Sequence, residues 1–163
     1  MQADSQPTLE VIYENWRGFD EKLRGAVAPL SAEQLSLQPA VHMWPVEQLV
    51  QHIIATRAGW FSGTLQDEDA QMEAYMEWGR RESPSRSAAE LVSGLEDTWA
   101  FIASRLVRWT PADRAQIFPD EWQGEIYDVS RSWVIYHVLE HDLFHGGEIS
   151  LILGMNGLPA IDL

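Results

Sequence analysis

The chain has 163 residues, 25 acidic against 11 basic side chains, a formal charge of −14, 45% hydrophobic residues and eight tryptophans. It is long and apolar enough for one packed domain over residues 1–163, and the charge, with no sustained basic patch, repels phosphate backbones and argues against a nucleic-acid partner. No cysteine is present, which excludes disulfides, thiolate metal sites and a cysteine nucleophile; no apolar run reaches the ~18 residues of a membrane span, and MQADSQPTLE lacks a basic region followed by an apolar one, so a soluble, cytoplasmic protein with no membrane partner is expected.

In chain order, Leu9, Ile12, Tyr13, Trp16, Phe19 and Leu23 stand three and four apart and predict a first helix over 8–27, closed by Pro29. Val46, Leu49, Val50, Ile53, Ile54 and Trp60 predict a second over 45–61, with Pro45 in the first turn where its missing N–H does no harm. A polar, acidic crossover follows from Gly63 to Arg86, containing QDEDAQME and RRESPSRS; the former reads as a solvated loop. Ser87 and Glu90 have the spacing of a capping box, opening a third helix through Leu91, Leu95, Trp99, Ile102 and Leu106. Residues 110–129 read as a short helical turn at TPADRAQIF and an extended connection, after which Asp128 or Ser130 caps a fourth helix reaching about Gly154.

The two halves resemble each other faintly: a long helix, a short polar turn, an irregular stretch with a Trp, then a histidine-bearing helix, so that His52 corresponds to His137. With no alternating apolar and polar runs to support a sheet, the fold expected is all-α, a four-helix bundle with a long crossover between helices two and three. The fourth helix carries Trp133, Val134, Ile135, Leu139, Leu143, Phe144, Ile149 and Leu151 right around its axis. Such a helix is central in the bundle or buried on a second subunit, and a homodimer is expected.

The chemistry concentrates in HVLEHDLFHGGEISLIL, residues 137–153, where His137, His141 and His145 recur every four residues. Histidines four apart lie on adjacent turns about 40° apart in azimuth and can aim at one point, which suits a two-histidine metal clamp formed by His141 and His145. His52, mid-helix and beside the apolar stripe, is the natural third ligand; taken singly, His52 or His42 reads more simply as a hydrogen-bonded core residue. Three protein ligands leave a coordination position open, as a catalytic site requires. His137 reads first as an outer partner of a ligand imidazole, with a ligand in place of His145 and a plain core residue as the other readings. Glu140 and Glu148 are candidates to accept an imidazole N–H, and Glu148 is also a candidate ligand or general base. Trp44 and Trp122, in the irregular connections, are candidates for the site mouth. Gly146-Gly147, costly inside a helix, implies a close helix approach.

The histidine of the second helix and the motif HVLEHDLFHGGEISLILGMNGLP resemble the DinB/YfiT-like superfamily over nearly the whole chain. The resemblance implies an up-down-down-up four-helix bundle, often dimeric, with a divalent metal such as Zn²⁺ or Ni²⁺ held by His52, His141 and His145. Many members carry HRGQ where this chain has His145-Gly146-Gly147-Glu148, so an arginine is lost and an acid stands in place of glutamine. The function implied is a metal-dependent S-transferase or detoxification enzyme acting on an electrophile with a low-molecular-weight thiol such as bacillithiol or mycothiol. Metal-activated hydrolysis with Glu148 as base, a noncatalytic metal-binding stress or interaction module, and a plain dimeric bundle are the other readings.

Overall fold

The computed structural model describes residues 7–80 and 83–162. The start of MQADSQPTLE and part of RRESPSRS lie outside the described residues. Helix α1 (Pro7–Val27) turns Trp16, Phe19, Leu23 and Val27 inward at the expected spacing. Helix α2 (Ala32–Leu35) is a single turn with a reciprocal cap between Ser31 and Gln34. Helix α3 (Val46–Ala58) starts after Pro45 at its cap and runs on into a π-helical turn, Gly59–Thr64.

The acidic segment QDEDAQME is ordered, contrary to the solvated loop expected of it. Asp69 accepts from the backbone N–H groups of Gln71 and Met72 and starts helix α4 (Ala70–Met76), which buries Met72 and Tyr75. Asp67 takes Arg105 Nε at 2.8 Å, and a 3₁₀ turn at Glu77–Gly79 completes the segment. Two of its acids, Asp69 and Asp67, are therefore spent on a cap and a tie to the bundle, roles that a count of charge does not separate from solvation, while Glu68 and Glu73 are exposed.

Helix α5 (Ala88–Arg108) carries the Ser87–Glu90 capping box, and helix α6 (Pro111–Ala115) another between Thr110 and Asp113. An antiparallel hairpin follows, which corrects the expectation that no sheet forms: β1 (Ile117–Trp122) and β2 (Glu125–Ser130) pair from Ile117↔Ser130 to Trp122↔Glu125. Its two-residue turn places Gln123 at φ 54° and Gly124 at φ 81°, the primed-turn conformation that matches strand twist. Only Phe118 and Val129, one cross-strand pair, are buried in it, so the strands never needed an alternating face. Asp128 lies within β2, and Ser130 caps helix α7 (Arg131–Met155) by accepting from Trp133 N–H.

Helices α1 and α3 each pack on both α5 and α7, giving an all-α bundle of four long helices around one core. Leu23, Ile53, Leu95 and Val138 are fully buried, each contributing about 1.5–3 kcal/mol of transfer free energy. Gly146 lies against α1: a Cβ there would stand 2.3 Å from Phe19 Cζ. Gly147 meets nothing within 4 Å, so the close approach inferred for the pair belongs to one of the two. Helix α7 buries Val134, Ile135, Val138, Ile149, Ile152 and Leu153 but leaves Trp133, Tyr136, Leu143, Phe144, Leu151 and Met155 between 43% and 64% exposed.

Candidate metal centre

The periodicity that buries Leu49, Ile53 and Val50 of α3 leaves His52 at the edge of its apolar stripe, facing α7. On α7, His141 and His145 occupy adjacent turns and point the same way. The three rings meet: centroids are 4.7 Å apart for His52–His141, 4.9 Å for His52–His145 and 4.4 Å for His141–His145. One ring nitrogen from each lies within 4.8 Å of the others, and all three residues are half-buried.

His141 Nε2 lies 2.9 Å from His52 Nε2 and 3.4 Å from Thr56 Oγ1. His145 Nδ1 lies 2.6 Å from Glu148 Oε2, which fixes that ring and leaves its Nε2 as the atom for a ligand. Burial pushes the His141 imidazole down to about 3 and His52 down to about 4, with the neighbouring imidazoles adding to the effect and Glu148 opposing it at His52. Both rings are therefore neutral at pH 7, the form that donates a lone pair to a cation. Tetrahedral zinc ligands at about 2.0–2.1 Å place their nitrogens about 3.3 Å apart. The trio's nitrogens, with His141 Nε2 and His52 Nε2 2.9 Å apart and all three within 4.8 Å, bracket that spacing, and His141 and His52, pressed together with at most one proton between them, gain most from a shared cation.

Two clefts flank the rings, separated by Trp44. Its indole meets His52 edge-on at 4.8 Å and His145 nearly parallel at 6.2 Å. A cleft of about 180 Å³ opens on the His52 side, lined among others by Gln48, Gln51, Trp78 and Ser83. One of about 370 Å³ opens on the His145 side, lined by His42, Met43, Leu151, Ile152 and Glu148 among others. His42 is exposed and belongs to that cleft, so the core reading does not apply to it.

The other candidates disperse. His137 stacks on Trp133 at 4.8 Å and 11° and meets Trp60 edge-on at 4.9 Å; its centroid is 6.4 Å from that of His141. Its ring is one layer of an aromatic stack, and no hydrogen bond ties it to a histidine of the trio among the described residues. Trp122 is 66% exposed at the end of β1 and lines neither cleft, which corrects its placement at the mouth. Glu140 is exposed and accepts from the Tyr136 hydroxyl at 3.3 Å instead of from an imidazole.

Sequence reasoning missed the charges that support this centre. Arg57 of α3 is fully buried and pairs with Asp20 of α1 at 2.7 Å and Asp142 of α7 at 2.8 Å. Trp16 Nε1–H donates to Asp142 at 2.7 Å, and Arg24 Nε–H donates to Asp20 at 2.8 Å. Burial alone would depress the guanidinium, but the two carboxylates outweigh it and hold Arg57 above its ordinary value. Asp142 adjoins His141 in sequence, so the knot that fixes its side chain also fixes the rotation of α7 at the trio. The signal was available: Asp20 continues the Trp16–Leu23–Val27 stripe, Arg57 follows Val50 and Ile53 by seven and four, and Asp142 follows Ile135 and Val138 likewise. Charges at core-facing positions imply partners.

The fold and site define a class: a helical bundle in which α3 and α7 bring three imidazoles, a set that could hold a metal ion, to one half-open point. The chain belongs to the DinB superfamily, whose family model matches residues 17–149. Solved structures with this fold include a DinB-like protein from Bacillus cereus (18% identity, TM-score 0.69, covering 92% of this chain and 93% of that one). Others are a DinB-like protein, YjoA, from Bacillus subtilis (16%, 0.67, 93% and 95%) and a conserved protein from Enterococcus faecalis (14%, 0.66, 92% and 99%). No curated protein matches the sequence. Among the described residues no helix is long and apolar enough to cross a membrane.

Proposed function

We propose that His52, His141 and His145 hold one divalent metal ion, Zn²⁺ or Ni²⁺, and that the protein is a thiol-dependent S-transferase or related detoxification enzyme. The observation that carries the reading is the convergence of three imidazoles between two clefts. A bound divalent ion would supply a lowered pKa to a coordinated thiol or water. The chain's own residues do the rest. Glu148 accepts the Nδ1–H of His145 and holds that ring in register, a positioning role that engages the carboxylate more directly than service as a base. Trp44 walls the centre and keeps the two clefts apart, so two reactants can approach from different sides. The chain brings no thiol of its own, which suits a thiol co-substrate such as bacillithiol or mycothiol.

Metal analysis of untagged protein tests the first half: near one ion per chain is expected, and none in His141→Ala or His145→Ala. Conjugation of a generic electrophile to bacillithiol or mycothiol tests the second. Turnover of an ester without thiol would replace transfer by hydrolysis, and bound metal with neither activity would leave a noncatalytic metal-binding module. The exposed row Trp133, Tyr136, Phe144 and Leu151 on α7 supports a homodimer. Light scattering should give twice the chain mass, falling to one in Phe144→Asp; a monomeric wild type at micromolar concentration removes the idea.

A further inference from the structure

The smaller cleft, beside His52, contains a polar group that the fold leaves unanswered. Gln51, only 5% exposed, lies on its lining. Its Nε2 donates to Glu47 Oε1 at 3.0 Å and to the Pro84 carbonyl at 3.4 Å. Both partners are acceptors, so the amide cannot be turned over without setting oxygen against oxygen. The orientation is therefore fixed, and Oε1 is the atom left over; it is buried and has no hydrogen-bond partner among the described residues. The Ser83 hydroxyl, on the same lining, is buried without a partner as well. A buried carbonyl with no donor is costly unless a guest supplies one.

The surroundings select the guest. Glu47, also on the lining, keeps its carboxylate beside Gln51 and accepts from the backbone N–H of Arg86. The basic residue of the lining, Arg80, is largely exposed and paired with Glu77 at 2.8 Å. An acceptor carbonyl next to a carboxylate calls for an N–H donor, and at about 180 Å³ the cleft has room for a small molecule in place of a single water. His52 forms part of the same wall, so such a molecule can extend its other end to the histidine trio.

We propose that this cleft is a subsite for the nitrogen-bearing end, ammonium or amide N–H, of a small polar ligand, recognised by the Gln51 carbonyl while the ligand's reactive end reaches the histidines. The placement of that reactive end rests on the metal reading above; the subsite does not. Metal-stripped protein is titrated with cysteamine and ethanolamine, which carry an ammonium, with N-acetylcysteamine, which carries an amide N–H, and with ethanethiol, which carries neither. The side-chain amide resonances of Gln51 should shift with at least one of the nitrogen donors and stay put with ethanethiol. No shift with any donor, or equal shifts with all four, overturns the subsite whatever the metal does. Cobalt-loaded protein then reads the reactive end through the thiolate-to-cobalt absorption band. The nitrogen-bearing thiols should bind about tenfold more tightly than ethanethiol, and Gln51→Leu should abolish that preference without weakening ethanethiol. A preference that survives Gln51→Leu overturns the role of this residue. Absence of the band with every thiol removes the metal reading and leaves the resonance result standing.

Discussion

Helices α3 and α7 build two polar clusters side by side, and the two solve the burial of polar groups in opposite ways. Arg57 and Asp142 meet in a knot that is 0% exposed, where the guanidinium finds its opposite although burial pushes the Asp142 carboxyl up, with Asp20 and Trp16 completing the set. His52 and His141, five residues and one residue away along the same helices, are only half-buried and escape the cost of charge by giving up the proton. The knot answers its charges internally, Arg57 facing Asp20 and Asp142, and holds the helices in register. The trio crowds ring nitrogens together, His141 Nε2 standing 2.9 Å from His52 Nε2, and leaves them open to a ligand. Stability and reactivity are thus separated by about one helical turn.

The largest expected effect breaks the sealed side. Arg57→Leu strands two buried carboxylates and should cost about 3–5 kcal/mol in urea unfolding; a loss below about 1 kcal/mol would mean that the knot is not holding the bundle. On the open side, zinc at a hundred times its dissociation constant should stabilise the wild type by about 2.7 kcal/mol and His141→Ala not at all, read as a shift in melting temperature. Glu148→Gln weakens the acceptor for His145 and should lower metal affinity about 10–100-fold by competition with a chelator, with little change in the metal-free melt.

Gly146→Ala presses a methyl group into Phe19, next to Asp20, and should cost about 1–3 kcal/mol, whereas Gly147→Ala, with open space beside it, should gain up to about 1 kcal/mol from helix propensity. Equal effects at the two glycines would show that α7 is not clamped to α1 there. A last test is the effect of pH on the metal-free protein. His52 and His141 titrate near 4 and 3 when folded but near 6.5 when unfolded, so below about 6.5 the unfolded chain takes up protons first. Their share of stability is complete above that pH, falls as the pH drops toward 4 and 3, and changes no further below. The difference in urea midpoint between wild type and the His52→Ala/His141→Ala double variant should follow that window, and a difference that is flat with pH would contradict the neutral rings.

The sequence by itself determined the helical bundle, the starts of α3 and α5 and the histidine pair of α7. Each of these is written in local spacing: apolar residues at three and four, Ser87 with Glu90, Pro45 ahead of a helix, and histidines one turn apart on α7. The hairpin at 117–130 escaped because it is mostly solvated and carries one buried pair, too little to leave an alternating pattern. The ordered crossover escaped because an acid that caps a helix looks the same in sequence as one that faces water. Only the tertiary structure decided that His52 meets His141 and His145 while His137 goes to Trp60 and Trp133, although the faint repeat aligns His52 with His137. It also decided that Arg57 finds two aspartates, and that Gln51 is left with an unanswered carbonyl. Those outcomes depend on the rotation and depth of one helix against another, which the packing of the whole core fixes and which no periodicity within a single helix encodes.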